Sequence, residues 1–230
     1  MSFDGLPRGH YGAILADPPW RFQHWSGKGT ARAADNHFDT SSNEQIATLP
    51  IWQLAAKDCV LFVWVVWPKL EEILPMLRNW GFQYKTCAFD WVKAHTGQLE
   101  MFRDDGDGQV GMGYWTRANS EPCLLATRGK PKRINADVRQ AIIAPRREHS
   151  RKPDGIHERI ERLVAGPYLE LFARQRRPGW DAWGNEVDKF APPVSRETYD
   201  ATDDFGKSID EAYRVIRERK ANGGKGWEPP

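Results

Sequence analysis

Val60-Leu61-Phe62-Val63-Trp64-Val65-Val66 is apolar at every position. A strand with one wet face alternates polar and apolar residues; a strand without alternation is covered on both faces, the mark of a sheet clothed by helices. The whole apolar stretch, Cys59 to Trp67, is strand-sized and falls short of the roughly 20 residues that span a bilayer, so no membrane segment is expected. The opening Met-Ser-Phe-Asp-Gly lacks the basic and apolar regions of a signal peptide, and a cytoplasmic protein is the expectation. Cys59, Cys87 and Cys123 lie far apart in apolar contexts, without metal-ligand spacing. His149 and His157 have no ligand pattern around them, so no metal is expected.

The flanking pattern agrees with a covered sheet. Strands are read at 12–16, 60–66, 82–92, 123–127 and 168–172, and helices at Ser42-Asn43-Glu44-Gln45 onward, at Lys69–Trp80 and after Lys152-Pro153-Asp154. Pro75 should kink the second helix. Strands alternating with helices predict an α/β domain with a mostly parallel sheet, and the pair 82–92 and 123–127 predicts an antiparallel hairpin at one edge. Residues 1–190 read as one domain. Residues 191–230, beginning Ala191-Pro192-Pro193, read as a linker, a charged helix over Ser208–Lys220 and a frayed tail.

Chemistry enters where the first strand ends. Tyr11-Gly12-Ala13-Ile14-Leu15 runs directly into Ala16-Asp17-Pro18-Pro19-Trp20. The strand fixes the Asp17 carboxylate. Two prolines then hold the backbone extended and remove two N–H donors, leaving carbonyls that can only accept. Trp20 offers an aromatic face. Acceptors suit an exocyclic amine and a plate suits a flat ring, so the motif is built to hold a planar base that carries an amine.

Charge is unevenly spread. Residues 128–177 carry 14 Lys/Arg against 6 Asp/Glu, a local +8 between flanks of −3 each. A basic middle third predicts one face that meets phosphates, with Arg146, Arg147, Ser150 and Arg151 as candidate contacts. Eleven tryptophans is a high number, and several fall in polar loops where stacking is open to them.

Four segments occur in a recognisable order: Asp17-Pro18-Pro19-Trp20, Ser150-Arg151-Lys152-Pro153-Asp154, Leu169-Glu170-Leu171-Phe172-Ala173-Arg174, and Trp183-Gly184-Asn185-Glu186. Together they resemble the MT-A70 family of adenine-N6 methyltransferases over about residues 10–188. The resemblance implies a Rossmann-like, S-adenosyl-L-methionine-dependent methyltransferase sheet that is circularly permuted, with the catalytic strand before the cofactor strand. It implies that Asp17 accepts from the target amine and borders the cofactor, that the Pro18 carbonyl takes the second amine proton, and that Pro19 and Trp20 sandwich the base. Lys152 matches a family lysine near cofactor and target. Arg174 and Asn185 match ribose-contacting residues, with Phe172 and Ala173 beside them on the cofactor strand. Glu121 matches a glutamate bordering the base pocket, and Phe38 falls where the family often has Tyr over that pocket. Arg176-Arg177 and Glu186 depart from the family pattern, which weakens the expectation of ribose contacts at 176 and 186.

The resemblance implies methyl transfer to adenine N6 in DNA. The same reaction on RNA, a cytosine amine as target, and a catalytically silent nucleic-acid-binding subunit are the competing readings. A compact chain without an added RNA-binding module favours DNA, and the protein is expected to act as a monomer or homodimer.

Overall fold

The computed structural model describes residues 3–20, 43–94, 115–146 and 151–190, all within one unit, Met1–Pro192. Residues 21–42 and 95–114, and the reading of 191–230, lie outside the described residues.

Seven strands form one sheet: β1 Tyr11–Ala16, β2 Ala55–Trp64, β3 Gln83–Ala94, β4 Ser120–Arg128, β5 Ala141–Pro145, β6 Tyr168–Leu171 and β7 Trp180–Trp183. Their order across the sheet is β5-β3-β4-β2-β1-β6-β7. β1 is parallel to both β2 and β6, β7 is parallel to β6, and β5 is parallel to β3. Only β4 runs against the rest, paired antiparallel to β2 and β3. All six parallel strands therefore end at one edge of the sheet, and β4 starts there.

The expected antiparallel pair is present as β3 and β4, but it lies one strand in from the edge. β5 adds outside it, pairing Trp91 with Ile142 and Val92 with Ile143. Ala141-Ile142-Ile143 stands inside a basic stretch, and only Ile142 is buried, so the segment gives little periodicity to read. β7 is equally short, four residues after an arginine-rich turn.

Helices clothe both faces, as the unbroken apolar β2 requires. On one side α1 (Asn43–Ala47) and α2 (Leu70–Asn79) pack Ile46, Ile73, Leu77 and Trp80 against Ile14, Leu61 and Val63. On the other, α3 (Gly155–Leu163) packs Ile156 and Ile160 against Ala13, Leu15, Val60 and Phe62. Neighbouring residues of β1 and β2 thus feed different cores. α2 runs unbroken through Pro75, whose missing N–H would have met the Glu71 carbonyl.

Leu61 is fully buried in the central strand. Replacing it with Ala removes apolar contacts and leaves a cavity between β2 and the helices. We expect Leu61→Ala to lower unfolding free energy by about 2–5 kcal/mol in urea titration.

Candidate active site

Asp17 is the first residue beyond β1, and its backbone N–H still donates to the Leu171 carbonyl of β6 at 3.4 Å. The carboxylate is held from two sides. Lys152 Nζ lies 2.9 Å from Oδ1 and 3.1 Å from Oδ2, and Arg174 NH2 lies 2.5 Å from Oδ2. Lys152 arrives from the segment that leads into α3, and Arg174 follows β6. Three stretches far apart in sequence therefore converge on one carboxylate, each side chain largely buried.

The charge chain continues across the sheet. Lys152 Nζ also faces Glu121 Oε2 at 3.4 Å, and Glu121 Oε1 accepts from Lys93 at the end of β3. The result is an alternating row: Arg174, Asp17, Lys152, Glu121, Lys93. Burial opposes ionisation of Glu121, but the ammonium groups of Lys152 and Lys93 outweigh it and hold the carboxyl down at about 2. For Lys152 burial favours the neutral form, and the carboxylates of Asp17 and Glu121 overturn it, so its pKa is raised. Lys152 also stands 5.7 Å from the centre of the Trp64 ring at the end of β2.

The prolines behave as their chemistry requires, with one addition. The Pro18 carbonyl accepts from the Trp20 N–H at 2.9 Å, which leaves one lone pair for a ligand. Trp20 is only 5% exposed; its indole N–H donates to the Trp64 carbonyl at 3.1 Å and its ring belongs to the core beneath α1 and α2. The aromatic face expected to lie against a base is therefore packed into the core, and only a narrow margin of the ring is exposed.

The cofactor-strand candidates sit on the neighbouring strand ends. Phe172 has a φ of 60°, a left-handed backbone that costs of order 1–3 kcal/mol in a residue with a side chain. Its ring meets Trp183 edge-on at 5.6 Å. Ala173 N–H donates to the Trp183 carbonyl at 3.0 Å, and a Cβ on Gly184 would come within 2.9 Å of the Ala173 backbone. Only glycine permits that approach, and it carries the chain into Asn185, which is exposed in an open cleft with Trp183 and Glu186. That cleft lies at the same sheet edge as Asp17, on the β6–β7 side.

The expected phosphate-binding face is divided. Arg128, Lys130, Lys132 and Arg133 follow the far end of β4 and lie at the opposite edge from Asp17, because β4 runs against its neighbours. Arg146, Arg151, Lys152 and Arg174 lie at the Asp17 edge. Arg151 is tied inward, 3.4 Å from Gln175, 3.8 Å from Asp154 and over the Phe190 ring at 4.9 Å. Arg176 pairs with Asp188 and lines the cleft beside Asn185, and Arg177 pairs with Glu158. Arg146 is exposed. Phe38, Arg147 and Ser150 lie outside the described residues.

Lys93 and Trp64 are the site residues that sequence reasoning missed. A strand-end lysine and a core tryptophan carry no signal of their own. Lys93 could be found only through the β3–β4 register, which sets Trp91 opposite Glu121. Among the described residues no cluster of His, Cys, Asp and Glu could hold a metal ion.

Glu121 gives a pH test. Its folded pKa is below the ordinary 4.5, so its contribution to stability is present above about 4.5 and is lost as pH falls toward 2. The stability advantage of the wild type over Glu121→Gln should therefore be full at neutral pH and shrink steadily below about 4.5 in denaturant titrations. A constant difference across that range would contradict the ion row.

The MT-A70 family profile matches residues 11–186. The chain is 30% identical over 203 residues to the Type II methyltransferase M.MunI of Mycoplasma sp, covering 80% of this chain and 81% of that protein. It is 31% identical over 186 residues to the N(6)-adenosine-methyltransferase MT-A70-like protein of Arabidopsis thaliana, covering 78% of this chain and 24% of that protein. It is also 31% identical over 184 residues to the human N(6)-adenosine-methyltransferase catalytic subunit METTL3, covering 78% of this chain and 29% of that protein. The chain thus spans less than a third of these two adenosine enzymes and most of the Mycoplasma protein. With the family motif set met over most of its length, the chain belongs to the MT-A70 family of adenine-N6 methyltransferases.

Proposed function

We propose that this protein transfers a methyl group from S-adenosyl-L-methionine to the N6 amine of adenine in DNA. The observation that carries the reading is the Asp17 carboxylate, held at the end of β1 between Lys152 and Arg174, beside the Pro18 carbonyl.

The donor set fits the methyl donor. A zwitterionic amino acid joined to a ribose asks for a cation at its carboxylate, an anion at its ammonium and polar groups at its diol. Lys152, Asp17, and Arg174 with Asn185 supply these in turn, while the exposed cleft beside Asn185 gives room on the β6–β7 side. Bound there, S-adenosyl-L-methionine supplies an activated methyl group. β1 and β6 are adjacent and parallel, so their ends meet at one edge. This supports reading the chain as a circular permutation that preserves contacts while placing the catalytic strand before the cofactor strand.

The chain's own residues then have a geometric task. An adenine amine is weakly nucleophilic because its lone pair is delocalised into the ring. Asp17 and the open lone pair of the Pro18 carbonyl hold its two hydrogens and favour the pyramidal form, whose lone pair is available. Lys152 and Arg174 take three of the roughly four acceptor positions of Asp17, which leaves one for the amine, so Asp17 faces the donor's ammonium through its charge rather than through a further hydrogen bond. The two cations fix the plane of Asp17. Pro19 forms the rim next to the base, with the margin of Trp20 as the wall behind it. In duplex DNA the target must first leave the stack, at a cost of a few kcal/mol.

We infer DNA as the polymer because the match to the Type II methyltransferase runs over most of both chains, whereas the proteins named for adenosine are matched over less than a third of their length. The exposed arginines at this edge agree with a polyanionic substrate, and among the described residues no helix is long and apolar enough to cross a membrane. The intact Asp17, Lys152 and Arg174 favour an active enzyme over a silent subunit.

Tritium transfer from labelled S-adenosyl-L-methionine to matched DNA and RNA pools, followed by nucleoside analysis, tests the reading. The expected product is N6-methyladenine in DNA; label confined to RNA would overturn the choice of polymer, and no adenine label would overturn the activity. Asp17→Asn keeps the shape and loses the charge, and should lower transfer on the order of a hundredfold or more while donor binding survives.

A further inference from the structure

Strand order divides the Asp17 edge in two: β6 and β7 lie on one side, and β2, β4, β3 and β5 on the other. The second side carries two tryptophans that the fold does not cover. Trp67, just past the end of β2, is 47% exposed, and Trp115, five residues before β4, is wholly exposed. The Trp67 N–H donates to Ser120 Oγ at 3.2 Å, which fixes its ring at the start of β4 while the indole remains half in solvent.

Two exposed arginines share this edge. Arg117 precedes β4 and Arg146 follows β5. Their strands lie on either side of β3, with Val92 set opposite both Ser120 and Ile143. Of the exposed arginines, Arg162 pairs with Asp137 and Arg176 with Asp188, whereas Arg117 and Arg146, like Arg8, Arg78 and Arg133, meet no acid among the described residues; Arg117 and Arg146 are the ones set at the Asp17 edge beside exposed rings. Exposed rings and exposed cations on one edge suit one kind of partner: a polymer that repeats flat faces and anions. A duplex hides its base faces, so only bases out of the helix can stack on Trp67 or Trp115. A protein or second copy would instead meet a continuous apolar patch, and here Arg117, Ala118 and Asn119, all exposed, separate Trp115 from Ser120.

We propose that Trp67, Trp115, Arg117 and Arg146 form a landing strip for unpaired DNA next to the target adenine. The inference rests on the proposed activity and deepens it, from DNA in general to DNA that is single-stranded or opened beside the target. Stacking rings hold the neighbouring bases, the arginines meet the intervening phosphates, and the cost of extracting the target base is met in part outside the pocket.

Fluorescence anisotropy with the full chain tests it, using an adenine-containing single-stranded DNA, its intact duplex, the same duplex with a short mismatched bubble beside the target, and the RNA counterpart. Single-stranded and bubbled DNA should bind about tenfold more tightly than intact duplex. Trp67→Ala and Trp115→Ala should each lower that affinity roughly tenfold and together erase the preference. Arg117→Glu with Arg146→Glu should weaken binding to every DNA probe and flatten the salt dependence. The thermal shift given by S-adenosyl-L-methionine should stay at the wild-type value in all of them, which guards against misfolding. Wild-type preference for intact duplex, or tryptophan variants that bind opened DNA as well as wild type, would overturn the strip. So would tighter binding of the RNA through the same residues, or variants that turn a dimer into a monomer in sedimentation with DNA affinity unchanged. If wild type methylates adenine in DNA and the variants bind normally, the strip alone fails; if wild type neither binds nor methylates any polymer, the proposed function fails with it.

Discussion

One carboxylate organises this protein. Asp17 stands at the end of a fully buried strand, where an unpaired charge would cost several kcal/mol. Lys152 and Arg174 remove that cost, and each comes from a different part of the chain. Pairing Asp17 is therefore also what draws the approach to α3 and the turn after β6 onto the end of β1. Structure and chemistry coincide here: the bonds that make Asp17 tolerable also fix its plane and surround it with groups suited to a zwitterionic ligand.

The ion row carries this outward. Lys152 is shared between Asp17 and Glu121, and Glu121 between Lys152 and Lys93, so the charges alternate from β6 to β3. Buried alternating charges hold one another in place only if every member is present, because removing one leaves its neighbours uncompensated in a low dielectric. That favours a single geometry along the edge where a base and a methyl donor must be aligned to a fraction of an ångström. The left-handed Phe172 and the Gly184–Ala173 approach act in the same way on the other side of Asp17. There the backbone itself is shaped, at a cost in strain, by the packing of β6 against β7.

How much of this could be read beforehand depended on whether the signal was local. β2 was legible because a run apolar at every residue has only one comfortable place, the middle of a sheet covered on both faces. Asp17-Pro18-Pro19-Trp20 was legible because its residues act on one ligand from adjacent positions. β5 and β7 were not: five residues with one buried side chain and a four-residue strand after a charged turn are stabilised by their neighbours in the sheet, and no periodicity records that. Lys93 was silent for the same reason, its partner being 28 residues away and set by β3–β4 register. The basic third of the chain misled in the opposite sense. Composition adds charges along the sequence, but β4 carries its cations to the far edge, so a local excess of +8 becomes two separate groups.

That division changes what the positive charge can do. Arg151 and Arg174 are spent inside the fold, and Arg128–Arg133 face away from the chemistry, so among the described residues the excess does not gather into one phosphate cradle. What the described residues leave at the Asp17 edge on the side away from β6 and β7 is two exposed arginines and the exposed rings, so a grip on nucleic acid there draws on the aromatic surface as well. The substrate form that offers free base faces is then favoured by the same geometry that concentrates the protein's own charge inward, around Asp17.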